Sequence, residues 1–267
     1  DVAALKAEFQ YQYQKMNGVS LRTKLFAYNN RLNELASLIP GFSNFLFSNE
    51  ITSGILKKAT GIAKERSLPL ISSKSLNKWN KTNKNQANKN NFIKTVYLFV
   101  DEFTNHIDAE IGIDVIEILK ALNYEVKTVK NKESGRAFLS KGLLDEAKTL
   151  ANENVAIYKD LISENNVLIG IEPSAILTFT DEYIKLADDK ISAKKIAKHA
   201  YLIDEFIADE IKLGNINSSQ FTKEEKSIKF HGHCHQKALR NQSSSFEMLN
   251  LPTTYKVTII PSGCCGM

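Results

Sequence analysis

An internal repeat limits the fold of this chain more than any other feature of its sequence. A shift of 131 positions, without a gap, superimposes identical residues of two stretches: Phe99 on Phe230, Tyr124 on Tyr255, Val126 on Val257 and Gly135 on Gly266. A first copy therefore spans residues 93–226, and a second copy spans residues 227–267 and is truncated. A repeat of this kind predicts two copies of one structural unit, with corresponding loops at corresponding places.

Hydrophobic periodicity predicts that strands and helices alternate in both copies. Strands are expected at short apolar runs, which are residues 95–100, 124–129, 167–171, 227–230 and 255–260. Helices are expected between them, at residues 111–122, 143–162, 176–186, 193–211 and 236–249. This alternation is typical of a mostly parallel sheet covered by helices. We therefore predict an α/β fold with an N-terminal helical segment and two related α/β repeats.

The part of the chain before the repeats has a different pattern. Residues 1–79 show the spacing of amphipathic helices followed by a connector. Leu5, Phe9, Tyr13 and Met16 share one helical face, which we expect to pack on the following domain. Residues 80–92 are rich in Asn and Lys and lack a hydrophobic period, so they are predicted to form a linker.

The charge and the cysteines limit the functional classes. The chain has 35 basic and 30 acidic residues, and much of the excess lies at residues 74–94 rather than on one patterned face. No nucleic-acid partner is expected, because no basic element carries interleaved aromatic residues. The sequence shows no secretory leader and no apolar run long enough to cross a bilayer. We expect a cytoplasmic protein, and peripheral attachment to the inner face of the membrane stays open.

All three cysteines follow two strands of the second copy. Parallel strands end at one edge of a sheet, so the loops after residues 230 and 260 are expected to open side by side. Three thiols crowded together suit a metal better than a disulfide framework. We therefore predict a metal centre whose ligands are Cys234, Cys264 and Cys265.

Histidines on both sides of Cys234 leave the identity of the metal open. His233 and His235 are residue types that zinc accepts together with thiolates. Alternate side chains diverge in a loop that ends a strand, so at most one of the two should reach the metal with Cys234. No phosphate-binding glycine loop, nucleophile elbow or paired histidine motif occurs, so no catalytic residue is expected.

Four stretches of the chain carry a family resemblance. FHGHCHQKAL and IPSGCCGM, together with SGRAFLSKGLLDEAK and GIEPSAILTFTDEY, resemble the duplicated cysteine-rich domain that is often called the Cys-Cys-Gly domain. This domain occurs in the iron-sulfur parts of FAD-linked glycolate and D-lactate oxidases, anaerobic glycerol-3-phosphate dehydrogenase and heterodisulfide reductase. The resemblance implies that residues 1–79 follow a ferredoxin-like domain.

The first copy departs from the family pattern of a lone Cys, a Cys-Cys-Gly pair and a later Cys. Phe103 stands at the lone position, Glu133-Ser134 at the pair and Ala175 at the last position. We therefore expect the first copy to bind no cluster. The second copy keeps the lone Cys and the pair, and its later Cys would fall beyond residue 267.

The resemblance implies an iron-sulfur electron-transfer domain of a larger FAD-linked oxidoreductase that acts on a 2-hydroxy acid such as D-lactate or glycolate. The implied cofactors are a 4Fe-4S cluster and, on a separate domain, FAD, with zinc as the alternative metal. The implied partners are FAD-binding and ferredoxin-like domains, in the same or a companion chain, and a membrane electron acceptor. The alternative function is a structural or docking module with a zinc site or a vestigial metal site. A chain truncated after Cys-Cys-Gly is expected to lose its metal on purification.

Overall fold

The computed structural model describes residues 2–83 and 91–263. Residues 84–90 of the predicted linker, and the predicted ligands Cys264 and Cys265, lie outside this part of the chain. The helices are α1 (Val2–Asn17), α2 (Leu21–Ala27), α3 (Asn29–Ala36), α4 (Pro40–Ser48), α5 (Glu50–Thr60), α6 (Leu76–Thr82), α7 (Glu102–His106), α8 (Ala109–Ala121), α9 (Arg136–Ser140), α10 (Leu144–Tyr158), α11 (Pro173–Ile176), α12 (Glu182–Leu186), α13 (Lys190–Lys198), α14 (Ile203–Lys212), α15 (Cys234–Leu239) and α16 (Ser243–Leu249). The strands are β1 (Thr95–Leu98), β2 (Glu125–Lys127), β3 (Asn166–Gly170), β4 (Ala200–Leu202), β5 (Lys226–Phe230) and β6 (Tyr255–Ile259).

The predicted α/β fold is confirmed, and every strand pair in the described residues is parallel. The first copy forms a four-stranded sheet in the order β2-β1-β3-β4, and the second forms a two-stranded sheet of β5 and β6. The central strand β1 buries Val96 and Leu98 completely. The five predicted strands all form and end within two residues of their expected bounds, because apolar residues recur in them at successive or alternate positions.

Three helices that were predicted to be continuous are interrupted in the structure. The stretch 193–211 contains β4, which separates α13 from α14, and the stretch 236–249 is broken between α15 and α16. The stretch 176–186 is divided into α11, a short 3-10 helix at Leu177–Phe179, and α12. The Glu205 side chain accepts a hydrogen bond of 2.9 Å from the Leu202 backbone and so caps the start of α14. Short apolar runs fit either period, so β4 was hidden within a helical pattern.

The chain divides into two compact units. The first comprises the described residues of 1–88, 100–116 and 131–154, and it contains α1–α7 and α9. The second comprises the described residues of 89–99, 117–130 and 155–267, and it contains both sheets and α11–α16. The candidate ligand Cys234 therefore belongs to the second unit.

Helix α1 does not pack through the face that the sequence predicted. Leu5, Phe9 and Met16 have 71%, 70% and 86% of their surface exposed, and Tyr13 is also exposed. The helix is instead attached through polar contacts. Tyr11 donates a hydrogen bond of 2.8 Å to Asp145, and Gln14 donates one of 2.7 Å to the Lys141 carbonyl. The expected apolar cap is therefore wrong for α1, and an apolar stripe faces outward.

No helix among the described residues is long and apolar enough to cross a membrane.

Candidate metal centre

The second copy brings two loops to one edge of its sheet. In the parallel register Phe230 lies opposite Ile259, and the Ile260 backbone donates a hydrogen bond of 2.8 Å to the Phe230 carbonyl. The chain leaves both strands at this edge, as the sequence predicted. One loop leads to Cys234, and the other leads through Pro261-Ser262-Gly263 to Cys264.

Cys234 is the first residue of α15 and carries a reduced, half-buried thiol. A buried polar network fixes this helix. The Gln236 amide donates hydrogen bonds to Asp204, at 2.7 Å, and to the Ser245 hydroxyl, at 2.9 Å, and Ser245 also donates to Asp204. All three side chains are buried, and they join α15 to α14 and α16. The position of the thiol therefore depends on helix packing and not on the loop alone.

The loop before Cys234 packs closely on the Gln242 side chain at Gly232. A Cβ atom at Gly232 would lie 2.7 Å from Cδ and Oε1 of Gln242, the residue that precedes α16. The backbone of the loop can approach α16 this closely because residue 232 has no side chain. The Oε1 atom of Gln242 is buried and has no hydrogen-bond partner among the described residues.

A lysine connects the two loops. The Lys237 ammonium group donates hydrogen bonds of 3.0 Å to the Ser262 carbonyl and 2.9 Å to the Gly263 carbonyl. Lys237 stands three residues after Cys234, so both side chains lie on one side of α15. Gly263 directly precedes Cys264 in the sequence. The described end of the second loop is thus held beside the helix that begins at Cys234.

Both ring nitrogens of His233 have neighbours in the structure. Nδ1 accepts a hydrogen bond of 3.2 Å from the His235 backbone and so caps α15. Nε2 lies 3.8 Å from Oε1 of Glu172, which itself caps α11 by accepting a hydrogen bond of 3.0 Å from Ser174. His233 would have to give up one of these contacts to bind a metal, while His235 is half-buried within the first turn of α15. Both histidines stay predicted ligands.

The described residues alone do not complete a metal site. In residues 2–83 and 91–263 no three His, Cys, Asp or Glu side chains are grouped closely enough to hold a metal ion. Cys264 and Cys265 lie beyond this part of the chain. The predicted set of three thiols therefore stays a prediction.

The corresponding loops of the first copy are joined by a carboxylate. Glu102 accepts two hydrogen bonds from Ser134, one of 2.6 Å from the hydroxyl and one of 2.8 Å from the backbone. Both residues are buried. The shift of 131 positions places Glu102 on His233 and Ser134 on Cys265. In the first copy, the residue before the lone ligand position therefore contacts the second residue of the pair.

The neighbouring Glu133 has an unusual acidity. Its burial, together with the nearby negative charge of Glu102, raises the pKa of this carboxyl to about 7. Gly135 follows the pair with a φ of 76°, a left-handed conformation that favours glycine.

Sequence reasoning missed Lys237 and Glu102. Lys237 could have been found from its spacing to Cys234, since residues three apart share a helical face. Glu102 could have been found from the repeat, because it precedes the position that matches Cys234.

Comparison with known proteins places the chain near two dehydrogenases. It is 22% identical over 277 residues to D-2-hydroxyglutarate dehydrogenase of Escherichia coli K12, in an alignment that includes all of this chain and 26% of that protein. It is also 22% identical over 251 residues to one subunit of the anaerobic glycerol-3-phosphate dehydrogenase of Escherichia coli K12, with 93% of this chain and 62% of that protein included. The chain thus spans less than two thirds of either relative. No family model and no solved structure matches it.

Proposed function

We propose that this chain is the electron-transfer part of a larger FAD-linked dehydrogenase and that it holds an iron-sulfur cluster through Cys234, Cys264 and Cys265. Both relatives are named as dehydrogenases or as a dehydrogenase subunit, which supports an oxidoreductase role. The substrate that we propose for the whole protein is a 2-hydroxy acid, such as D-lactate or glycolate. Its oxidation would take place at the FAD of a separate domain.

The contact of Lys237 with Ser262 and Gly263 is the observation that carries this proposal. It brings the chain that enters the Cys-Cys pair to the helix that begins at Cys234. The first copy supports the same arrangement, because Glu102 and Ser134 are in contact at the positions that match His233 and Cys265. If the second copy repeats that geometry, all three thiols converge.

The chemistry of the donors fits an iron-sulfur cluster. Thiolate sulfur is the ligand that such clusters use, and the thiol of Cys234 is accessible at the start of a rigidly packed helix. When bound, such a cluster supplies one-electron transfer. The residues of this chain would hold the cluster, limit its contact with water and set its reduction potential through nearby charges and hydrogen bonds.

The partners that we propose are the FAD-binding and ferredoxin-like domains of the same or a companion chain. The outward stripe of α1, formed by Leu5, Phe9, Tyr13 and Met16, supports this, since contiguous exposed apolar surface marks interaction sites. The longer relatives contain additional chain that could provide such domains. We also propose a cytoplasmic location and, for the iron-sulfur form of the site, a membrane electron acceptor.

Metal analysis of the intact protein, isolated without oxygen, tests the proposal. We expect iron and acid-labile sulfide in the wild type, with visible absorption, and loss of iron in each of Cys234→Ser, Cys264→Ser and Cys265→Ser. Ser134→Ala is the matched control, because Ser134 stands at the position of Cys265 in the first copy. It should keep the iron of the wild type per folded molecule.

Two outcomes would contradict the iron-sulfur proposal. Stoichiometric zinc in a colourless protein would favour the docking module with a mixed Cys and His site, in which His233 or His235 joins Cys234. An iron content per folded molecule that does not fall in any of the three cysteine variants would place the cluster elsewhere.

A further inference from the structure

We infer that Lys237 is a positioning residue, which holds Ser262 and Gly263 against α15 and places a positive charge near the proposed ligand Cys234. This inference rests on the proposed function. It goes further, because it assigns a role to a side chain that is not itself a ligand.

The geometry shows why a lysine suits this position. Its Nζ atom contacts two successive carbonyls, of Ser262 and Gly263, at 3.0 and 2.9 Å. An ammonium group has three donors, so it can bridge both carbonyls at once. Hydrogen bonds from a charged donor are stronger than those from a neutral one. Lys237 therefore ties the residues that lead into the Cys-Cys pair to α15.

The positive charge of Lys237 is not compensated by the acidic residues that the structure describes. Within residues 2–83 and 91–263 no carboxylate lies at ion-pair distance from Lys237, whereas the nearby Arg240 is paired with Glu205 at 3.0 Å. Helix α15 is fixed by the buried bonds of Gln236, so the lysine stem starts from a rigid support. The positive charge consequently stays near Ser262 and Gly263 and is not neutralised by a described acid.

A fixed positive charge changes the energy of reduction. One-electron reduction of an iron-sulfur group by the flavin of the companion domain adds one negative charge to a group that thiolates already make anionic. A nearby cation stabilises the reduced form more than the oxidised form, so it raises the reduction potential. Removal of the charge should therefore lower that potential.

The first test needs no metal. Lys237→Met should speed amide hydrogen exchange at Ile260, whose N–H donates to the Phe230 carbonyl where this loop begins, by about tenfold in the intact, metal-free protein, because the loop loses a charge-assisted anchor. Lys229→Met is the matched control, because Lys229 is an exposed lysine of β5 and the same charge is removed. Unchanged exchange in a folded Lys237→Met protein would overturn the positioning role, whether or not the proposed function is correct.

The second test uses the protein isolated without oxygen. Iron content and the reduction potential, followed by electron paramagnetic resonance, should be measured for Lys237→Met, Lys237→Arg and Lys229→Met. We expect either a lower potential or a lower iron content in Lys237→Met, with recovery in Lys237→Arg and no change in Lys229→Met. A wild-type potential and full iron content in Lys237→Met would overturn the inference. A wild type without iron would instead contradict the proposed function.

Discussion

Glu133 is the residue whose surroundings most alter its acid-base behaviour. Its pKa of about 7 lies above the value of 4.5 expected for an unfolded chain, because the carboxyl is buried and Glu102 is close. Between these two pH values the folded state binds more protons than the unfolded state. Stability must therefore fall as the pH rises from about 4.5 to about 7.

Replacement of this carboxyl should remove that pH dependence. We expect Glu133→Gln to raise the free energy of unfolding at pH 8 and to leave it nearly unchanged at pH 4, since the amide cannot ionise. Urea unfolding at both pH values measures this difference. Glu146→Gln, a change on α10, is a suitable control for the loss of one charge. An equal effect of Glu133→Gln at both pH values would contradict the raised pKa.

The sequence identified the candidate ligands but not the residues that hold the neighbouring loops in place. Cys234 was found because thiols are rare in this chain and stand out against the repeat. Lys237 and Glu102 were not found, since the chain has many lysines and glutamates and only their positions relative to Cys234 and to the repeat distinguish these two. Their roles depend on contacts with residues 262, 263 and 134, which are distant in sequence.

At the scale of elements, a glycine lets α11 pack closely on β3. A Cβ atom at Gly170 would lie 2.3 Å from Cβ of Ile176, which cannot move away because both elements are buried. Gly170→Ala should therefore lower the free energy of unfolding by about 1–3 kcal/mol. Gly54→Ala should instead leave it unchanged or raise it by up to about 1 kcal/mol, since Gly54 lies in α5 with no atom within 4 Å of its added Cβ. Thermal unfolding of both variants tests the contrast, and a neutral Gly170→Ala would contradict it.

A buried ion pair links the starts of β1 and β2 to α14. Glu210 accepts hydrogen bonds from Lys94, at 2.8 Å, and from Tyr124 and Asn215, both at 2.7 Å. Burial opposes ionisation of Glu210, but the three donors outweigh it and lower the pKa. The stabilisation is therefore present above the ordinary carboxyl pKa and is lost as the pH falls through the lowered value.

Replacement of Lys94 should leave the buried Glu210 carboxylate without a positively charged partner. We expect Lys94→Met to lower the free energy of unfolding by about 2–3 kcal/mol at pH 7, because Glu210 is almost fully buried. The double variant Lys94→Met/Glu210→Gln should recover part of this loss, since the charge is then absent. Urea unfolding measures both, and an additive result would show that the two side chains do not interact.

The elements that the sequence predicted best were those with one clear period. The five strands β1, β2, β3, β5 and β6 were located, because apolar residues recur in them at successive or alternate positions. The strand β4 was missed because Ala200, Tyr201 and Leu202 also fit the helical spacing of their neighbours. Its strand geometry comes from pairing with β3, where Ile169 lies opposite Tyr201, and pairing of this kind cannot be seen within one segment.

At the scale of the whole molecule, the outward stripe of α1 should contribute to association with a partner and little to the stability of the fold. Phe9 is 70% exposed, so Phe9→Glu should change the free energy of unfolding by less than about 0.5 kcal/mol. If the stripe contacts the companion flavin domain, the same change should weaken that association. Co-purification and analytical ultracentrifugation measure it, with Ala4→Glu as a control at an exposed position outside the stripe. Unchanged association in Phe9→Glu would exclude this surface.

The hydrogen bonds between Glu102 and Ser134 have a consequence for the sensitivity of the protein to oxygen. Oxygen and chelators separate loops that a metal joins, because they remove the metal. They have no such effect on loops that are joined by hydrogen bonds between a carboxylate and a hydroxyl group. The loops of the first copy, which these hydrogen bonds join, would stay together if the loops of the second copy separated. If the second copy holds the proposed cluster, loss of that cluster would open the second copy and leave these hydrogen bonds of the first copy in place.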